Sequence, residues 1–130
     1  MMPERARTIV VIGDGVYALS LAQLLRLRGH CAEALNSECR SYERLAGLSP
    51  RALIVDLMVA RRNDFALLRR LQADPSLCRV PVLVSSPGTV AGDVPQLEAH
   101  LRALGARPLL DSHELEAVLT EIAALKPRVA

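Results

Sequence analysis

Aromatic side chains are nearly absent from these 130 residues: there is no tryptophan, and Tyr17, Tyr42 and Phe65 are the whole set. A core without aromatics has to be built from Leu, Val, Ile and Ala, and 51% of the chain is hydrophobic, enough to build one. The same scarcity argues against single-stranded nucleic-acid binding, which uses aromatic platforms for stacking. Charge of one sign is also missing. The net charge is +2, and the arginines are scattered without a basic block, so the sequence makes no electrostatic case for DNA or membrane binding. Cysteine is sparse: Cys31, Cys39 and Cys78 are odd in number and lack Cys-x-x-Cys spacing. They read as reduced, structurally buried thiols of a cytoplasmic protein. No apolar run is long enough for a signal peptide or a membrane span, so the expectation is a soluble, single domain over residues 1–130 with its core at 8–125.

What is present is alternation. Thr8–Ile12 is a buried strand stopped by Gly13-Asp14-Gly15, and a helix follows through Ala18, Leu21, Ala22 and Leu25 to Gly29. Cys31–Leu35 is a weak strand, and Ser37 is placed to cap a helix carrying Tyr42, Leu45 and Ala46 that ends at Gly47. Ala52–Leu57 is the third strand, and Asp64 is the expected cap of a helix through Phe65, Leu67, Leu68 and Leu71. Val80–Val84 is the fourth strand, with Pro81 at its start, where a missing donor is tolerable. Asp93 and Gln96 have capping-box spacing before a helix through Leu97, Leu101 and Leu104. Arg107–Leu110 is the last strand, and Ser112 caps a final helix through Leu115, Val118, Leu119 and Ile122. Strands alternating with helices at this spacing predict βαβ units and one doubly wound parallel sheet of five strands, covered by helices on both faces.

Within that plan Asp56 stands out. It closes the apolar run Ala52-Leu53-Ile54-Val55, where a carboxylate has no packing role. It is tolerable only if the strand delivers it to the carboxyl edge of the sheet, where open α/β folds place their chemistry. Asp14, Ser85, Ser86 and Asp111 arrive at the same edge. Converging carboxylates need a cation or shifted pKa values, and hard oxygen ligands suit Mg²⁺; the plainer reading of Asp14 and Asp111 is as loop residues capping nearby helices.

The chain resembles the receiver domain of two-component response regulators, from Ile9 to Leu125. The resemblance is carried by Asp56-Leu57-Met58 after an apolar strand, by the helix start at Phe65-Ala66-Leu67-Leu68, by Pro81-Val82-Leu83-Val84-Ser85-Ser86, and by Gly105-Ala106 before the last strand. It implies the flavodoxin-like strand order 2-1-3-4-5. It also implies that Asp56 is a phosphoacceptor taking phosphoryl from a histidine kinase, with Mg²⁺ held by Asp14, Asp56 and the Met58 backbone carbonyl. Ser86 is then the switch hydroxyl. Receivers commonly pair through their fourth and fifth helices, which implies a homodimer face on the helix from Asp93 and the last helix.

Three positions depart from the family pattern. Gly13 stands where a second acidic residue is usual, Leu110-Asp111-Ser112 stands where a lysine followed by proline is usual, and Pro108 stands near the aromatic switch position. Two unit charges ~4 Å apart interact by roughly 4 kcal/mol at an effective dielectric near 20, so Asp111 in place of the lysine removes several kcal/mol of phosphoryl stabilisation. Arg61 and Arg62 offer guanidinium charge in compensation, and otherwise read as exposed loop arginines. The leading expectation is therefore an atypical receiver-like signalling module without an output domain, not an enzyme, acting by contact with a histidine kinase or other signalling protein. A phosphoacceptor regulator with Mg²⁺-dependent chemistry at Asp56 is the rival. A small nucleotide- or flavin-binding α/β protein is the third reading, although Gly13-Asp14-Gly15 lacks the third glycine, its place being held by Ala18. His30, His100 and His113 lack metal-ligand spacing and read as surface residues.

Overall fold

The computed structural model describes residues 7–37, 39–88, 90–110 and 115–124, with residues 39–41 described by backbone alone. Within them run β1 (Ile9–Ile12), α1 (Val16–Leu27), β2 (Ala32–Leu35), α2 (Cys39–Gly47), β3 (Ala52–Asp56), α3 (Leu57–Arg61), α4 (Ala66–Ala73), β4 (Val82–Ser85), α5 (Val94–Ala103), β5 (Ala106–Leu109) and α6 (Leu115–Ala124). The strands pair in parallel in the order β2-β1-β3-β4-β5. This is the doubly wound sheet expected from the alternation.

Two faces form because successive strand residues point opposite ways. Val10, Ile12, Leu53, Val55, Val82 and Val84 pack with Leu45 of α2, Leu68 and Leu71 of α4 and Leu101 of α5. Ile9, Val11, Ile54 and Leu83 pack on the other face with Ala18, Leu21, Ala22 and Leu25 of α1 and Val118 and Ile122 of α6. All four residues of β1 are buried, as are all five of β3, which is why these segments read as unbroken apolar runs. Gly29 and Gly105 follow α1 and α5 with φ of +88° and +82°, a conformation that ends a helix at no steric cost only for glycine. Asp93 caps α5 as its spacing predicts, accepting from the Gln96 amide at 3.0 Å. Pro108 is tolerated because β5 is an edge strand.

Local chemistry departs from expectation at four places. The short α3 begins directly after Asp56, and the apolar residues Leu57, Val59 and Ala60 that extend the β3 run are buried as a helix turn instead. Asp64 does not cap α4. Asn63, Asp64 and Phe65 hold φ of 51°, 57° and 61°, so the chain enters α4 through three consecutive left-handed residues, and Asp64 pairs with Arg69 at 2.7 Å. Ser37 spends both its amide and its hydroxyl on Asp14. Cys31 is exposed and Cys78 half-buried, both free, against the expected burial. Asp111, Ser112 and His113 lie outside the described residues. No helix among the described residues is long and apolar enough to cross a membrane.

Candidate functional site

The strand order reverses between β1 and β3, and a crevice at the carboxyl ends of those two strands is where open α/β sheets bind and react. Asp56 ends β3 at this point. Its side chain is 7% exposed, and its Oδ1 accepts a hydrogen bond from the Met58 amide at 3.1 Å, making it the cap of α3. Met58 therefore meets Asp56 by its N–H, while its own side chain stands 69% exposed.

Gly13 follows β1 and lies against Asp56. A Cβ added there would sit 3.3 Å from the Asp56 Cβ, 3.6 Å from its Oδ2 and only 3.0 Å from the Ala18 Cβ. The position where the resemblance leads one to expect an acid is thus closed by packing as well as lacking a side chain.

Asp14 is turned toward the loop after β2. Its Oδ1 accepts from the Ser37 amide and its Oδ2 from the Ser37 hydroxyl, each at 2.7 Å, and the Arg62 guanidinium donates to the same Oδ2. Arg62 donates also to the Ser37 hydroxyl at 3.0 Å, closing a three-residue ring. The Arg62 hydrogen bond, seconded by Ser37, holds the Asp14 carboxyl below the usual carboxylate range against a smaller opposing effect of burial.

Ser85 and Ser86 separate as adjacent strand residues must. Ser85 is the register partner of Asp56, is fully buried, and shares a 2.9 Å hydrogen bond with the Tyr17 hydroxyl. Burial pushes the Tyr17 phenol up, the negative charge of Asp56 adds to that, and Ser85 opposes it. Ser86 is half-buried and turns into its own loop, where its hydroxyl donates to the Gly88 carbonyl at 3.2 Å. The structure thus brings Asp56, Gly13, Tyr17 and Ser85 together, and gathers Asp14, Ser37 and Arg62 beside them.

Mg²⁺, the cation implied by the resemblance, is not fitted by this donor set. No group of three or more Asp, Glu, His or Cys side chains able to hold a metal occurs among the described residues. Both Asp14 oxygens are taken by a serine and an arginine, leaving Asp56 as a single carboxylate among the described residues of this edge.

Neither Tyr17 nor Ser37, the latter expected only as a helix cap, was placed at the site by sequence. Their partners lie 68 and 23 residues away, respectively, and no local pattern signals such pairs. The exposed large apolar side chains fall mostly on α1. Val16, Leu19 and Leu27 of α1 are 77%, 65% and 75% exposed, opposite the buried Ala18, Leu21, Ala22 and Leu25. Leu101 of α5 and Val118 and Ile122 of α6 are turned into the core, as the helical stripes predict.

Comparison with solved structures decides the fold. Over 92% of this chain and 98% of that one, the chemotaxis response regulator CheY4 of Vibrio cholerae superposes with a TM-score of 0.74 at 14% identity. The chain has the CheY-like receiver fold. A response regulator from Thermotoga maritima matches with a TM-score of 0.72 at 18% identity, over 92% of this chain and 96% of that one. HP1043, an orphan response regulator of H. pylori, gives 0.66 at 19%, over 94% and 98%. A gliding motility regulatory protein of Myxococcus xanthus is 23% identical over 83 residues, 64% of this chain, and this chain spans 11% of that protein's length. No family model matches.

Proposed function

We propose that this receiver-fold chain is an atypical signalling module of a two-component-type pathway, working through protein–protein contact and not through the usual Mg²⁺-dependent phosphoryl switch. The observation that carries this reading is the closed ring of Asp14, Ser37 and Arg62. It ties up the second carboxylate of the site and sets a fixed guanidinium beside it. Gly13 and the near-complete burial of Asp56 support the same reading. A nucleophilic carboxylate must present an oxygen in line with the phosphoryl group, whereas here one oxygen caps α3 and the other lies 3.6 Å from where a Cβ on Gly13 would stand. The exposed Val16, Leu19 and Leu27 of α1, with Met58 at the Asp56 edge, supply apolar surface for a signalling partner such as a histidine kinase.

The rival reading keeps Asp56 as a phosphoacceptor, with Arg62 lending charge to the phosphoryl oxygens. One experiment separates the two. The protein is incubated with Mg²⁺ and acetyl phosphate or beryllofluoride, and read by intact mass and by amide NMR shifts. The binding-module reading expects neither a stoichiometric mass increment nor site-wide shifts. A clean response that disappears in Asp56→Asn establishes the rival instead. Copurifying flavin absorbance would move the assignment to a small-molecule-binding α/β protein.

A further inference from the structure

The edge of the sheet opposite Asp56 carries a second feature. A cleft of about 740 Å³ opens there, lined among others by Arg7, Arg28, His30, Arg51, Arg79 and Ser76. Four arginines thus converge from four separate segments. Arg7 precedes β1, Arg51 immediately precedes β3, Arg79 precedes β4, and Arg28 is the C-cap of α1. No carboxylate is among the described residues lining it. The chain holds 16 basic and 14 acidic side chains, so with four arginines gathered here the remainder of the molecule is net acidic.

Arginines at helix C-termini offset the helix dipole, which is the plainer reason to find them at this edge. That account covers Arg28, and Glu116 already pairs with it. It does not cover the others. Arg7 donates to the Pro50 carbonyl at 3.3 Å, and Arg51 and Arg79 pair with no carboxylate among the described residues. Arg51 is half-buried at the floor of this edge, immediately ahead of β3. The cleft is of the size that takes a small phosphorylated molecule, and planar guanidinium forks suit phosphate oxygens better than they suit a single carboxylate.

The structure assigns to this cleft an anion site for a compound carrying several linked phosphates, whether a free polyphosphate or the phosphate chain of a nucleotide. It is independent of the chemistry at Asp56.

The test is calorimetric titration of the full chain with sodium tripolyphosphate and, separately, with ATP, against sodium chloride at matched ionic strength. Saturable 1:1 binding is expected, weakened at least tenfold in Arg51→Gln/Arg79→Gln and unchanged in Asp56→Asn. Equal affinity for both probes means that the phosphate chain alone is read, and tighter ATP binding means that the nucleoside adds contacts; either supports the site. Should the double glutamine variant not fold, Arg51→Lys/Arg79→Lys keeps the charge, loses the fork, and is expected to bind more weakly than wild type. A response no greater than that to chloride, binding unaffected by these substitutions, or equal affinity for a polyglutamate peptide would each overturn the assignment.

Discussion

Gly13→Ala is the substitution with the sharpest expected outcome. Gly13 carries no left-handed φ, so the backbone accepts an L residue and the question is one of space alone. On entropy alone the change stabilises the protein by roughly 0.4–1 kcal/mol, because alanine restricts the unfolded chain. The structure argues for the opposite sign. The new methyl would stand 3.0 Å from the Ala18 Cβ and 3.3 Å from the Asp56 Cβ, and both are rigid: Ala18 is 1% exposed on α1, and Asp56 caps α3. Overpacking of this kind costs about 1–3 kcal/mol, so against that gain the net loss runs from about zero to roughly 2.5 kcal/mol. Urea unfolding followed by circular dichroism should show an earlier midpoint with an unchanged slope. Combining it with Ala18→Gly should recover part of the loss after the helix cost of about 1 kcal/mol for that glycine is taken into account by the single variant. A Gly13→Ala protein more stable than wild type refutes the view that packing closes this position.

Arg62→Gln should cost up to about 1 kcal/mol at neutral pH, since the pair is partly exposed and screened. The pKa of Asp14 is depressed in the folded state, so this stability is present above its unfolded value of 3.8 and is lost as pH falls through the folded value; unfolding midpoints of wild type and variant should converge in that acid range. Tyr17→Phe deprives the fully buried Ser85 hydroxyl of its 2.9 Å partner and should cost about 1–2 kcal/mol, and a double-mutant cycle with Ser85→Ala should show coupling. The Tyr42 phenol is pushed up to about 12 by burial and by the Asp74 carboxylate it donates to at 2.7 Å. A raised pKa gives stability that is complete below the ordinary value of 10.0 and is lost as pH rises through about 12; ultraviolet titration should place the phenolate near the upper value, and Tyr42→Phe should remove this alkaline loss.

The fold was legible because β1, β3 and β4 are buried on both faces, so each appears as an apolar run with little to confuse its type, and because helix ends such as Asp93 with Gln96 follow local chemistry. α3 was not legible for the same reason. Leu57, Val59 and Ala60 prolong the β3 run, and only the cap formed by Asp56 with the Met58 amide converts them to helix. Asp64 misled because an Asp before an apolar period is the usual sign of a cap, whereas three left-handed residues in a row are a tertiary outcome to which propensity is blind.

At the site, Asp56 was legible as a carboxylate with no packing role, but its surroundings were not. The ring around Asp14 spans three loops, with Arg62 48 residues distant, and read one loop at a time Arg62 is an ordinary surface arginine. The basic cleft differs in kind, because its origin is regular. In a parallel sheet every strand begins at one edge, so residues recurring just before strands must converge however far apart they lie in sequence. Arg7, Arg51 and Arg79 each occupy such a place, ahead of β1, β3 and β4. Counted as blocks, the arginines look dispersed; counted by position relative to strand starts, they predict a single positive edge. Asp14 and Asp56 follow the complementary rule at the strand ends, which puts acid at one edge of this sheet and the arginine cleft at the other.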